Sequence, residues 1–173
     1  MAITTNQLTN ANVFLEGKGL LGCAEEVKCP GLKHLMTEKK ALGMVGKTKL
    51  PSGFDVMEAE FKWNGFYADV FAAAANPYKV CAIQVRSSNE TWSGQGREKE
   101  VALVVHMRGR FEEIALGSFK PHDNAEYPSK FICDYIKVVE DGTEILEVDV
   151  LANIHKVNGE DMLATYRQNI GQQ

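Results

Sequence analysis

Apolar and polar residues alternate over a long stretch in the middle of the chain, between residues 98 and 112. Odd positions carry apolar side chains or glycine: Val101, Leu103, Val105, Met107, Gly109 and Phe111. Even positions carry mostly charged side chains: Glu98, Glu100, His106, Arg108, Arg110 and Glu112. Because successive side chains of a β-strand point to opposite faces, this pattern predicts one long strand with one buried face. The parity reverses after Glu113, where Ile114 and Leu116 are apolar, and a β-bulge is expected there.

Other segments with the same period predict a protein built mainly of strands. Their buried faces are expected to be formed by Met57, Ala59, Phe61 and Trp63 in one segment and by Cys81, Ile83 and Val85 in the next. Asp141-Gly142 lies between two strand-like segments and predicts a tight hairpin. Residues 17–19 and 93–96 predict two further turns.

The segment "SKFICDYIKVV" (residues 129–139) is apolar on both parities. Phe131, Cys133 and Tyr135 fall on one side, and Ile132, Ile136 and Val138 fall on the other. A strand of this kind is expected to be covered on both faces, either within its own subunit or by a neighbouring copy.

Helical patterns are few. Alanines at helical spacing predict a helix over residues 66–76 that stops before Pro77. A short C-terminal helix is predicted over residues 158–171, with Asp161 near its start and Gly171 at its end. The chain therefore reads as one mainly β (α+β) domain spanning residues 1–173.

Residues 32–54 show no sustained period of either kind and are expected to form a long irregular loop. Five lysines against one glutamate give this segment a formal charge of +4. The whole chain carries −4, so the rest of the protein carries −8. The segment is thus a basic insertion in an acidic body.

Composition excludes several functional classes. The net charge of −4 and pI near 5.6 disfavour a dedicated nucleic-acid-binding domain. No apolar run approaches the ~20 residues that cross a bilayer, and the first residues lack the pattern of a secretion signal. Cys23, Cys29, Cys81 and Cys133 form no Cys-x-x-Cys pair, so free thiols in a reducing cytoplasm are expected in place of zinc or disulfides.

The segment from His106 to Asp123 offers the most chemistry, because two arginines and two adjacent carboxylates lie between two histidines. Glu112 and Glu113 point to opposite faces of a strand, so they are not expected to act together as an acid and a base. No phosphate-binding loop, nucleophile motif or metal-ligand spacing occurs, and we expect no enzyme, no metal and no cofactor. Arg108 and Arg110 share a predicted face with Glu98, Glu100 and Glu112, which favours charge pairing over a phosphate grip.

An ordered set of segments along almost the whole chain resembles a known family. The segments are "LTNANVFLEGK", "EVKCPGLKHLMTE", Gly43-Met44, "MEAEFKWNGF", "MRGRFEEIALGSFKPHD", "YIKVVEDGTEILEVDV" and "KVNGEDMLATYRQNIG". Together they resemble the major tail tube protein of contractile-tailed phages and of phage-tail-like bacteriocins. The chain departs from the family at Leu42, where a second glycine is common, and in its basic residues 45–54.

The resemblance implies a β-barrel or sandwich flanked by a helix, an architecture shared with the type VI secretion tube protein. It implies a structural virion protein assembled in the host cytoplasm, with six copies in a ring and rings stacked into a hollow tube. The implied partners are further copies of the chain, the tail sheath, the baseplate and the tail terminator. DNA or effectors would pass through the tube without specific binding, and no membrane is involved.

Two surfaces are expected to serve assembly. The basic segment is predicted to contact acidic residues of the next ring through Lys39, Lys40, Gly43, Met44, Lys47, Lys49, Glu140, Asp141 and Glu144. Subunit pairing and stability are assigned to Arg108, Arg110 and Glu112. The alternative from another class is a monomeric β-barrel that binds a small molecule in its interior, which would also account for the strands and the lack of catalytic residues.

Overall fold

A computed structural model describes residues 3–172 of the chain, and most of them lie in β-strands. The strands are β1 (Thr5–Gln7), β2 (Ala11–Leu15), β3 (Lys18–Gly19), β4 (Ala24–Lys28), β5 (His34–Lys39), β6 (Thr48–Phe54), β7 (Met57–Trp63), β8 (Cys81–Ser93), β9 (Gly96–Ile114), β10 (Tyr127–Glu140), β11 (Thr143–Asp149), β12 (Ile154–Val157) and β13 (Glu160–Asp161). The two helices are α1 (Ala68–Ala74) and α2 (Ala164–Asn169).

Three long antiparallel strands, β8, β9 and β10, form the centre of the main sheet. Strand β9 pairs with one edge of β10 over almost its whole length. The other edge of β10 pairs first with β7 and then with β11, so the sheet divides into two parts that share the same central strands. Strand β4 extends the β7 part, β12 and β13 extend the β11 part, and β1 and β2 pair with β8.

The part of the sheet that contains β7 folds around an aromatic core. Phe61, Phe111 and Phe131 contact one another with ring centroids 5.0–6.5 Å apart, and Trp63 stacks on Phe61. Helix α1 packs against β9 and contributes Val70, which is fully buried. The predicted mainly β fold with a central helix is confirmed. Large buried side chains thus fill the interior of this part of the sheet.

The long alternation of β9 appears as predicted. Met107, Gly109 and Phe111 are buried, whereas Arg108 and Arg110 lie on the other face. The expected bulge is also present, since Lys130 pairs with Glu113 and Phe131 pairs with Phe111. Glu112 is therefore the extra residue, and its side chain is exposed.

A second bulge overturns the predicted faces of β10. Cys133 pairs with Gly109 and Tyr135 pairs with Arg108, which leaves Asp134 as the extra residue. The parity shifts by one position there, so Ile136 joins Phe131 and Cys133 in the core. Tyr135 instead lies beside Arg108, on the polar face. The prediction that Phe131, Cys133 and Tyr135 share one face is wrong for this reason.

Both helices are shorter than predicted. Helix α1 begins two residues later than expected, at Ala68. The C-terminal helix begins only at Ala164, because Asn158 and Gly159 adopt positive φ and turn the chain into the short strand β13. Asp161 thus lies in a strand before α2, where it accepts a hydrogen bond from the Leu163 amide and pairs with Arg167 at 2.5 Å.

The largest correction concerns residues 32–54. They do not form an irregular loop, because β5 and β6 pair as an antiparallel hairpin, hereafter the basic hairpin (residues 34–54). Ser52 is the extra residue at a bulge next to Pro51, a position where a strand tolerates proline. Almost every residue of the two strands is exposed, so the hairpin lacks the one-sided burial that produces an apolar–polar alternation.

Candidate assembly surfaces

The basic hairpin forms a two-stranded sheet of its own. In the part of the chain that the structure describes, β5 and β6 pair with no other strand. At the base, Phe54 lies between His34 and His155, with ring centroids 5.2 and 5.0 Å away, and Lys33 pairs with Asp55 at 2.6 Å. Those contacts join the hairpin to the body, and the remainder of both strands faces solvent.

The predicted inter-ring residues of the hairpin cluster toward its free end. Lys39 ends β5, Lys49 lies near the start of β6, and both are exposed. Lys47 pairs with Glu38 at 2.8 Å, and this pair is exposed as well. Lys40, Gly43 and Met44 lie in the connecting turn, where a φ of +86° favours glycine at Gly43.

The predicted acidic partners form the turn between β10 and β11. Each is already engaged within the subunit: the Asn89 amide donates to Glu140 at 2.7 Å, Lys99 pairs with Asp141 at 3.0 Å, and Lys137 pairs with Glu144 at 2.6 Å. Among residues 3–172, no ion pair joins the hairpin lysines to these acids. The structure therefore does not bring the two predicted halves of this contact together within one copy.

Arg108 and Arg110 pair with aspartates of neighbouring strands and not with the glutamates of their own strand. Arg108 donates to Asp149 at 2.9 Å and lies over the ring of Tyr135, with 4.8 Å from guanidinium carbon to ring centroid. Arg110 pairs with Asp134, the bulge residue, at 3.2 Å. Sequence reasoning missed both aspartates, because cross-strand partners depend on a register that two bulges alter.

The ion-pair network continues beyond Arg108 on the same face. The Tyr135 hydroxyl donates to Glu147 at 3.0 Å, and Lys156 pairs with Glu147 at 2.7 Å. Burial, followed by the contact with Glu147, raises the pKa of Tyr135 to about 12. The hydrogen bond from Lys156 lowers the pKa of Glu147. These groups therefore keep fixed charges near neutral pH and act as a structural network.

The described residues offer little that could support a reaction. No three His, Cys, Asp or Glu side chains within residues 3–172 converge as metal ligands. All four cysteines are free thiols, and burial raises the pKa of Cys133 to about 12, so that thiol is a poor nucleophile. No helix among these residues is long and apolar enough to span a bilayer. What these residues do present is two exposed surfaces, the basic hairpin and the polar face of β9.

The family model for phage tail tube protein FII matches residues 5–171, and the chain belongs to this family. A relative, the tail tube protein of Escherichia phage P2, is 32% identical over 162 residues, which cover 92% of this chain and 94% of that protein. The chain is thus a structural component of a phage tail tube and not an enzyme.

Solved structures show the same fold at low sequence identity. The sheath/tube terminator of an extracellular contractile injection system, PVC, in its extended state gives a TM-score of 0.57 at 12% identity, covering 75% of this chain and 92% of that one. A chain of the PVC sheath-tube complex in the extended state gives 0.56 at 12% identity, covering 75% and 87%.

Proposed function

We propose that six copies close into a ring and that rings stack into the hollow inner tube of a contractile tail. The basic hairpin carries this proposal. An isolated two-stranded hairpin is at best marginally stable in water, and its unpaired edges invite another chain. When a surface of one copy contacts a different surface of the next copy, the contact repeats with a fixed rotation between copies. The copies form a ring if that rotation closes and a helical stack if it does not.

The hairpin is proposed to contact the adjacent ring, with Lys39, Lys40, Lys47 and Lys49 facing the acidic turn at Glu140, Asp141 and Glu144 of another copy. Each exposed ion pair between copies contributes only ~0.2–1 kcal/mol, and the three acids already have partners within their own subunit. Six symmetry-related copies multiply any such term. Glu112, exposed at its bulge, is proposed to face a neighbouring copy within the ring.

The proposed setting is a virion tail assembled in the host cytoplasm. A sheath surrounds the tube, and a baseplate and a tail terminator bound its two ends. The PVC chains that share the fold come from a sheath-tube complex and a sheath/tube terminator, which supports the sheath and the terminator as partners.

DNA or effectors are proposed to pass through the tube without being bound. Each cation that neutralises a phosphate adds salt-sensitive affinity, so free arginines repeated along a channel would retain a polyanion. Arg108 and Arg110 are neutralised by Asp149 and Asp134 within the subunit, which supports free passage.

Assembly is tested by electron microscopy and sedimentation of purified protein, with preformed tube fragments added as seeds. Sixfold rings or tubes are expected. A species that stays at 19.2 kDa with seeds present would contradict the proposal.

DNA passage is tested separately, by fluorescence anisotropy with assembled tubes at physiological salt. No appreciable affinity is expected. Tight binding that disappears in an Arg108→Gln/Arg110→Gln variant still forming normal tubes would assign the arginines to DNA.

A further inference from the structure

A groove of about 580 Å³ lies where the basic hairpin joins the body. Its walls come from the hairpin base, the turn after β11, strand β12 and helix α2, and they include Phe54, Val150, Ile154, Leu163 and Tyr166. Val150 and Tyr166 are each about half exposed, so apolar surface at this place is open to solvent. The groove is separate from the barrel core, which its own side chains fill.

The opposite end of the hairpin presents apolar side chains with no cover. Leu42 and Val45 are fully exposed, at 105% and 109% of their reference areas, and Met44 is about half exposed. Gly43 shapes the turn between them with its positive φ. Aliphatic side chains clustered on a protruding tip are the kind of exposed patch that marks a contact with another molecule.

We propose that the hairpin tip of one copy inserts Leu42 and Val45 into the groove at the hairpin base of a second copy. This inference rests on the proposed function and adds a receiving surface for the apolar tip, distinct from the acidic turn that the hairpin lysines are proposed to face. The tip cannot fill its own groove, because six paired positions at ~3.4 Å per residue hold it about 20 Å away. Since projection and groove belong to the same chain and differ in shape, each copy can receive one neighbour and enter another.

The charges of the two surfaces are compatible with this contact. Lysines flank the tip, so a cationic groove would repel it. Burial and the nearby His34 lower the pKa of His155, which keeps that imidazole neutral at neutral pH. The Asp149 carboxylate also lines the groove, although it is paired with Arg108. The residues that line the groove include no lysine or arginine, so the apolar match is left to determine the fit.

The direct test is the double variant Leu42→Ser/Val45→Ser, because both side chains are exposed and their loss should not affect folding. A matched control is Leu116→Ser/Phe119→Ser, which removes exposed apolar side chains at 81% and 76% exposure from the loop before β10. In seeded assembly, the amount of tube that sediments is expected to be at least about tenfold lower for the tip variant than for the wild type. The control variant is expected to assemble normally.

Normal tubes from the tip variant would overturn the inference and leave the proposed function intact. If wild type and control also fail to assemble with seeds, the proposed function fails, and the inference fails with it. The two failures are therefore distinguishable.

Photocrosslinking locates the receiving surface independently. A benzophenone side chain in place of Leu42, in tubes grown from a mixture of isotope-labelled and unlabelled copies, is expected to crosslink to residues 149–166 of another copy. Intermolecular crosslinks confined to other segments, such as residues 137–147, would overturn the assignment.

Discussion

The barrel body and the basic hairpin are both antiparallel β-structure, but they differ in what stabilises them. In β7, four of seven side chains enter the core, and Phe61 and Trp63 are almost completely inaccessible. In β5 and β6, no side chain is fully buried, and the base stack around Phe54 is the main contact with the body. The body therefore supplies the stability of the subunit. The hairpin instead leaves almost all of its surface exposed in the single copy.

The largest expected effect lies in the body, at Gly109. A Cβ at this position would lie 1.8 Å from the Ile132 carbonyl oxygen, a backbone atom that cannot move aside without breaking the β9–β10 ladder. Gly109→Ala is expected to lower the free energy of unfolding by about 3 kcal/mol, the upper end of what overpacking typically costs, because the clash is with a fixed backbone atom. Urea denaturation measures this.

The matched control is Gly94→Ala, where a Cβ would meet no atom within 4 Å. It should change stability by less than about 0.5 kcal/mol. Equal stabilities for the two variants would refute the close approach of β9 and β10.

A smaller effect is expected at Arg108. Arg108→Gln leaves the Asp149 carboxylate, which is only 11% exposed, without its cationic partner. Loss of a partner to a nearly buried charged acceptor costs ~1–3 kcal/mol. Arg110→Gln is expected to cost ~0.2–1 kcal/mol, because its partner Asp134 is more exposed, at 24% against 11% for Asp149. Denaturant unfolding of the two variants should give this order, and the reverse order would show that the Arg108 pair adds little. The combined variant is expected to impair folding or ring assembly.

Acidification should produce a still smaller loss of subunit stability. Burial, Arg86 and Lys137 lower the pKa of His106, and burial and His34 lower the pKa of His155. The unfolded chain therefore binds protons first as the pH falls below ~6.5, so stability should be flat above that pH and decrease below it.

Unfolding free energies at pH 7.5 and 5.5 check this dependence. His106→Gln/His155→Gln should flatten it, whereas His122→Asn, in an exposed turn with positive φ, should not. A steeper dependence in the double variant would contradict the sign.

Sequence patterns predicted the body well, because burial of one face leaves an alternating signature. The faces of β7, β8 and β9, the Asp141-Gly142 hairpin and the bulge near Glu113 were all confirmed. The face of Tyr135 was predicted wrongly, because the extra residue Asp134 shifts the parity of β10. The segment is apolar on both parities, so its sequence does not reveal the shift.

The assembly surfaces were predicted less completely. The lysines of residues 32–54 were visible in the sequence, but an exposed hairpin buries no face, so its strands left no periodic signal. The partners of Arg108 and Arg110 were hidden for another reason, because Asp149 and Asp134 are remote in sequence and are aligned only by the register of β9, β10 and β11. Contacts between copies remain a prediction that rests on the hairpin.

The most direct test of the division between body and hairpin measures unfolding and assembly on the same variant. Reversing Lys39, Lys40, Lys47 and Lys49 to glutamate should change the free energy of unfolding by less than about 1 kcal/mol, because these side chains are exposed and the Lys47–Glu38 pair that is lost is exposed as well. The same variant should form no tubes by electron microscopy in the presence of seeds. Two double variants with the same change in net charge serve as a control: Lys39→Glu/Lys40→Glu on the hairpin and Lys79→Glu/Lys120→Glu on the body. Only the hairpin variant should slow tube growth, because the effect depends on where the charges lie and not on the net charge. Normal tubes from the quadruple variant, or its loss of stability to the extent seen for Gly109→Ala, would contradict the account.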